Sequence, residues 1–523
     1  MKKIFSIIAL SILISITGCK KDFLNLEENP NTPSTATPQF QLSGALVVSA
    51  NLYNANTNAT VGVTATNPTG TIGSISLTTS GYTQTVGIWM GYWTASGNYV
   101  PASALNTNNF TNTSYQIWTQ FYLNLSNYND LENKAASDPT LVYFSSIAKI
   151  MKALEFQTLV DTYNNVPYSQ AFKAPDVLFP AYDNGDVIYD DLMKQLDAAI
   201  AGIKSAPASA VNPGSSDVMF KGVMTNWIKF ANTIKLRLAI RQWNKLPAKQ
   251  AALKTAVAST ATDGFIDQTF QAAVNPGYSN DDANGYKQNP FYVSYAFTAT
   301  GAVSLPGDYY KANAYAINKL RSTNDPRLSR LYAPASAPAD PLVPFVGNVY
   351  GSTAPSNNPK TSSIGPGLLK SPTQDAIIMS SAESLFLQSE ASLYGILTAS
   401  AQTLYESGIT ASFTSLAVPN AATAATTYYA QPIANVSWTA STDKLAAIIN
   451  QKWTALNGYG NIEAYNEYRR TGFPSDIPVS TQATQPTIPS RIFYPNTEVA
   501  NNGENLKAQG TINQFTSKIF WAK

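Results

Sequence analysis

Histidine is absent from all 523 residues, and cysteine occurs once, at position 19. The two absences remove the commonest metal ligands and the commonest general base together. Zinc centres, Ser-His-Asp triads and Cys-His dyads are excluded by arithmetic. Carboxylate chemistry of the glycosidase kind and an Asp-rich oxygen site for calcium survive the exclusion. A single thiol also leaves no internal disulfide, so the body must hold by packing. No catalytic residue, metal or cofactor is assigned.

Charge is scarce as well. Asp, Glu, Lys and Arg make up 13% of the chain, about half the usual share. The 34 basic and 32 acidic residues nearly cancel, to a net charge of +2. With no basic run, the electrostatic footprint of a nucleic-acid binder is missing. The surface is expected to be dressed with Asn, Thr, Ser and Tyr in place of ions.

Long hydrophobic runs are rare, and the one at the start carries information. Met1 to Cys19 reads MKKIFSIIALSILISITGC: a basic pair, an apolar stretch of about 13 residues, and a small residue before the lone cysteine, the pattern of an export signal. A membrane-spanning helix needs roughly 20 apolar residues, so the run is too short to serve as an anchor. Ile16-Thr17-Gly18-Cys19 reads as a lipobox, with residues 1–18 removed and Cys19 the lipid acceptor. An ordinary signal peptide with an incidental cysteine is the alternative. Several acyl chains on Cys19 would give a lasting tether to outer-membrane lipid, since each buried methylene contributes about 0.8 kcal/mol. Lys20 follows Cys19 where an aspartate would favour inner-membrane retention, which argues against retention there. Residues 19–40, rich in Pro, Asn and Thr, are expected to be a flexible tether, and residues 41–523 the folded body.

Within the body the clearest signal is helical. Ile117, Phe121, Leu125 and Tyr128 recur at helical spacing. So do Ile147, Ile150, Met151 and Leu154; then Ile188, Leu192, Leu196, Ala199, Ile200 and Ile203, with Asp183 as expected N-cap. Further stripes run through Met224 to Leu238, Ala382 to Leu393 and Leu445 to Leu456, and a first helix is expected around Leu42 to Asn51. Pairs of helices every 35 to 40 residues or so suggest stacked hairpins of the tetratricopeptide kind. The fold class expected is all-α, a tetratricopeptide-like superhelix. Loop-rich insertions are placed at about 52–112 and 275–372.

Aromatic residues crowd those insertions. GYTQTVGIWMGYWTASGNY (81–99) holds Tyr82, Trp89, Tyr92, Trp93 and Tyr99 in an almost uncharged, Gly-rich stretch, and Tyr286, Tyr292 and Tyr309 stand in the middle loops beside Tyr278, Tyr295 and Tyr310. Flat apolar faces with polar rims suit the C–H faces of sugar rings, with Asn and Gln meeting hydroxyls. The eight rings first named are the expected ligand-binding residues. Burial in the core is the competing reading for Trp89 and Trp93, and it stays open here. The ionisable motif residues read as structural. Asp161, Tyr163 and Tyr168 are expected to hydrogen-bond a loop, Glu463 and Glu467 to pair with Arg469 and Arg470, and Glu383 and Glu390 to bond between packed helices.

LVDTYNNVPYSQAF (159–172), DVIYDDLMKQLDAAI (186–200), WIKFANTIKLRLAIR (227–241), SAESLFLQSEASLYG (381–395) and INQKWTALNGYGNIEAYNEYRRTGFP (449–474) together resemble the SusD/RagB family of surface lipoproteins, in particular its starch-binding, outer-membrane-associating branch. The resemblance spans essentially the whole mature chain. It implies a helical body with a loop-rich binding subdomain, located at the outer membrane and facing the exterior. It also implies a non-enzymatic role, in which the protein captures an oligosaccharide or other oligomeric nutrient and delivers it, as a lid, to a SusC-type TonB-dependent transporter. A carboxylate-dependent glycosidase and a structural or adhesive surface protein are the alternatives.

Overall fold

The structure is a computed structural model and describes residues 36–55, 81–281 and 287–523. Cys19, most of the expected tether and Tyr286 lie outside the described residues. The helices of eight residues or more are α1 (Pro38–Asn54), α2 (Tyr82–Trp89), α3 (Trp118–Ala136), α4 (Val142–Tyr163), α5 (Gly185–Lys204), α6 (Met224–Trp243), α7 (Gln250–Ala258), α8 (Ala314–Ser322), α9 (Ser381–Leu393), α10 (Ala401–Ser415), α11 (Ala421–Tyr429), α12 (Lys444–Leu456) and α13 (Asn461–Thr471). Each expected stripe lies on one of them, except that Ile117 stands at the N-cap of α3, one residue before the helix. The first begins earlier than expected: Thr37 caps α1 and Pro38 occupies its first turn, a position where proline loses no helical hydrogen bond. Residues 38–40, expected in the tether, are therefore helical.

Consecutive helices pack in chain order, α3 on α4, α4 on α5, α5 on α6, and later α9 on α10 and α10 on α11. The two runs meet where α6 packs on α9, with α12 against α9 and α13 against α2. The stripe of α5 is buried throughout, from Ile188 to Ile203. Its N-cap differs from expectation. Asn184 precedes the helix, while Asp183 accepts from the Tyr168 and Ser169 backbone N–H groups at 3.0 and 2.8 Å. The carboxylate serves the loop that follows α4 and not the helix end.

Much of the chain's scarce charge lies inside. Asp161, Glu383, Glu390, Glu463 and Glu467 are matched in number by Arg237, Arg241, Lys452, Arg469 and Arg470, all buried. Arg241 of α6 bridges Asp161 of α4 and Glu463 of α13. Arg237 meets Glu383 at 2.5 Å, Lys452 meets Glu467 at 2.8 Å, and Arg470 grips both oxygens of Glu390 at 2.7 and 2.8 Å. Arg470 also pairs with Glu467 within α13, as the spacing predicts, whereas Arg469, expected to pair likewise, donates to the Asp161 and Ser490 backbone carbonyls while Glu463 pairs with Arg241. Asp161 takes a wider role than loop anchor: it accepts from Tyr189, Arg241 and the Trp521 indole. Burial would raise the Glu467 carboxyl, but Arg470, Lys452 and Arg241 overrule it and hold it well below the usual range. Cooperation of this kind is what keeps buried ions charged.

Glu155 of α4 is the contrasting case. It is fully buried and, among the described residues, accepts only from Ser49 at 2.7 Å and Asn124 at 2.6 Å. Burial pushes its carboxyl up to about 8, against the pull of those two hydrogen bonds. The folded chain thus holds a proton that the unfolded chain releases near pH 4.5. Stability is expected to fall as pH rises between those values, at up to about 1.4 kcal/mol per pH unit, and to level off above the upper one. Glu155→Gln should flatten that slope in urea-melt midpoints measured from pH 5 to 9; an unchanged slope would assign it elsewhere.

Two-stranded pairings tie the insertions together. β1 (Trp93–Ala95) pairs antiparallel with β3 (Tyr310–Ala312), β2 (Ala272–Val274) with β6 (Ala376–Met379), and β4 (Tyr332–Ala333) with β5 (Ser363–Ile364). The β1–β3 pair, in register Ala95 with Tyr310, brings the two aromatic-rich insertions side by side.

Candidate functional site

Tyr82, Trp89, Tyr92 and Trp93 have 0–1% of their surface exposed, which corrects their placement in a ligand platform. Trp89 donates to Asn108 at 3.0 Å and packs on Phe110, Tyr115 and Tyr465. The Tyr92 hydroxyl donates to the Trp453 carbonyl at 2.5 Å and its ring lies on the Trp453 indole. Trp93 is enclosed by Phe291, Tyr295 and Tyr310. None has a free face for a ligand. Residues 82–95 lack charge because they form α2 and β1 inside the core, a composition that solvent-exposed sugar-binding loops share.

Tyr99 has a different fate. Beyond β1 the chain reaches the surface, and Tyr99 is half-buried, its ring packed 5.3 Å from that of Tyr309. Tyr309 is itself buried and backs Tyr99 instead of meeting solvent. Tyr292 is half-buried on the short helix Pro290–Tyr295, which packs against the short helix Leu305–Tyr309.

A polar cluster forms around Tyr99. Asp308, on the helix Leu305–Tyr309, accepts the Tyr99 hydroxyl on Oδ2 at 2.5 Å and the Asn358 side-chain amide on Oδ1. Asn358 in turn accepts from the Ser96 hydroxyl, and Ser96 Oγ takes the Asn98 backbone N–H at 3.0 Å. The bond to Asp308, with some burial, pushes the Tyr99 phenol up to about 12, so it remains a donor at neutral pH. Gly97 is required at this approach: a Cβ there would stand 2.1 Å from the Pro355 carbonyl oxygen. Ser304 starts the Asp308 helix by accepting from Gly307 N, which orients the carboxylate.

An apolar rim continues from the cluster. Phe297 and Val303 face one another across an antiparallel bridge leading into the helix. Phe297 is 46% exposed, Val303 55% and Leu305 50%. The arrangement offers a phenol face, an exposed phenyl, the Asn358 amide and a carboxylate, a set suited to stacking and to hydroxyl recognition. Glu383 and Glu390, the glutamates two turns apart on one helix, are held in the ion pairs described above. Sequence reasoning missed Asp308 and Asn358. Their signal is weak, because Asp308 stands 209 residues from Tyr99 and Asn358 stands 262 from Ser96.

Comparison with known proteins supports the fold. No curated protein matches in sequence. A chitin-binding SusD homolog from Flavobacterium johnsoniae is similar over 92% of this chain and 98% of its own, with TM-score 0.69 and 22% identity. A SusD homolog from Bacteroides uniformis gives 0.70 and 23%, covering 92% and 99%. A SusD/RagB family protein from Bacteroides thetaiotaomicron gives 0.71 and 20%, covering 93% and 99%. The fold is the helical, tetratricopeptide-like one expected. A family model described as starch-binding, associating with outer membrane, matches residues 55–495; the chain belongs to that SusD-like family.

Proposed function

We propose that the protein is a lipid-anchored, outward-facing lipoprotein that binds a glycan or other oligomeric nutrient without turning it over. In this reading it delivers the nutrient to a SusC-type TonB-dependent transporter, over which it sits as a lid. Family membership supports the binding role, and the Tyr99–Asp308–Asn358 cluster with its exposed apolar rim is the observation that carries it. The ring of Tyr99 stacks on a sugar face while Asp308 and Asn358 take hydroxyls. Among the described residues no helix is long and apolar enough to cross a membrane; the tether in this proposal is Cys19.

Calorimetric titration of starch and chitin oligosaccharides tests the site. Tyr99→Ala is expected to weaken the bound glycan about tenfold or more, equivalent to about 1.4 kcal/mol, with thermal stability little changed. Full affinity in both Tyr99→Ala and Asp308→Ala would remove the cluster from consideration. Co-isolation of a TonB-dependent barrel from detergent-solubilised outer membranes tests the lid.

A further inference from the structure

A pocket of about 430 Å³ lies between α8, α12 and the loop that follows α11, a volume within the range of small-molecule sites. Its lining includes the carboxamides of Asn318, Asn435, Asn450 and Gln451. Gln451 is engaged: it accepts from Arg327 at 2.6 Å and donates to the Tyr428 hydroxyl and the Asn435 carbonyl at 3.1 and 2.8 Å. The other three keep hydrogen-bonding capacity. Asn435 has a left-handed backbone, with φ 63°, a conformation that costs a non-glycine residue energy and recurs at ligand sites. Its N–H donates to the Ser441 hydroxyl at 2.9 Å while its carbonyl takes Gln451. The backbone is thus clamped from both sides, and the half-buried side-chain amide has no partner among the described residues.

Asn450 of α12 is only 6% exposed. Its Nδ2 donates to the Ala446 carbonyl at 2.8 Å, and among the described residues its Oδ1 has no donor. A buried acceptor left open is destabilising, and a ligand hydroxyl, direct or through one ordered water, removes that cost. Asn318, exposed on α8, accepts from Arg321 at 3.1 Å and keeps its N–H groups. The ionic groups of the lining are matched. Lys319 reaches both oxygens of Asp476 at 2.9 and 3.2 Å, and Asp476 also takes the Tyr315 hydroxyl at 2.7 Å. Asp325 is held by three contacts of 2.6 to 3.1 Å from the Arg327 side chain. Arg321, beside the lining, donates to Asn318 and to the Phe345 carbonyl. Lys319 also lies 5.2 Å from the centre of the Tyr315 ring, so Tyr315 serves as a wall and not as a stacking platform. The capacity left within the lining is neutral, and it belongs to the three asparagines.

We infer that this pocket is a second subsite, for a neutral sugar unit whose hydroxyls meet the carboxamides of Asn318, Asn435 and Asn450. The choice of a sugar rests on the nutrient-binding reading above; the match to a neutral hydrogen-bonding ligand rests on the pocket itself. Recognition here is by amides, where the first site uses an aromatic face. The pocket shares no residue with the Tyr99 cluster.

Saturation-transfer NMR on the full mature chain carrying Tyr99→Ala, with maltose, N,N′-diacetylchitobiose, D-glucuronate and triglycine as separate probes, tests this. The expected result is transfer to at least one of the two neutral sugars, unchanged by 0.5 M NaCl, reduced at least about threefold by Asn318→Ala and abolished by Ser322→Trp. Ser322 is exposed and lines the pocket, so the larger ring obstructs the opening without entering the core. Thermal midpoints check the fold; where Ser322→Trp lowers its own, Asn318→Ala decides alone. Absence of transfer to both neutral sugars, or transfer indifferent to these variants, would overturn the inference. Stronger transfer to glucuronate that salt removes would overturn the neutral assignment, and stronger transfer to triglycine the assignment to a sugar. Since Tyr99 is already replaced, failure of the first site to bind glycans changes none of these outcomes.

Discussion

Arg241→Met is expected to destabilise the protein by about 3–5 kcal/mol, because it leaves two buried carboxylates facing each other without their shared cation. Asp161 and Glu463 come from α4 and α13, 302 positions apart in the chain, and Arg241 touches both. The guanidinium also lies 5.2 Å from the Trp521 ring, so the C-terminal segment would lose a contact as well. Guanidinium-induced unfolding followed by tryptophan fluorescence measures the change. The double variant Asp161→Asn with Arg241→Met should recover part of the loss, since it removes one of the stranded charges; strict additivity would show that the pair does not couple. A midpoint shift equivalent to less than about 1 kcal/mol for Arg241→Met would mean that water or rearrangement satisfies the carboxylates, against the burial on which the reading rests.

Trp93→Ala should cost a similar amount, about 3–5 kcal/mol, through lost burial and the cavity left among Phe291, Tyr295 and Tyr310. It also sits in β1 opposite Ala312, so the cavity would loosen the junction on which Tyr99 depends. The two variants therefore separate two roles for aromatics. Trp93→Ala lowers stability strongly and affects ligand affinity only as far as the junction relaxes; Tyr99→Ala lowers affinity and leaves stability nearly intact. Measured together by thermal unfolding and titration, the opposite pattern would return Trp93 to the ligand platform and Tyr99 to the scaffold.

Much of the helical body is legible residue by residue. Ile188, Leu192, Leu196, Ala199, Ile200 and Ile203 announce α5, and all are buried in it, because a helix face is written within one segment and needs no distant partner to be recognised. The same holds for the Glu467–Arg470 pair at helical spacing. The rings of residues 81–99 were not legible in this way. Trp93 and Tyr99 are six positions apart in one uncharged stretch, yet one is enclosed by rings from residues 291–310 and the other emerges at the surface. Composition describes both alike; the packing partner decides.

Sequence alone determined the exclusions and the periodic scaffold. Without histidine, and with one cysteine near the start, no imidazole- or multi-thiolate-ligated zinc centre and no imidazole base is available, whatever the fold. The helix stripes follow from local spacing, and the likeness to one family from motifs along the whole chain. Only the tertiary structure decided where the charge went and which tyrosine reaches the surface. Both depend on contacts between residues far apart in the chain: Arg241 with Glu463, Arg470 with Glu390, Tyr99 with Asp308. The free energy of a buried ion or an exposed ring is set by what surrounds it in space, and that environment is assembled only when the chain closes on itself.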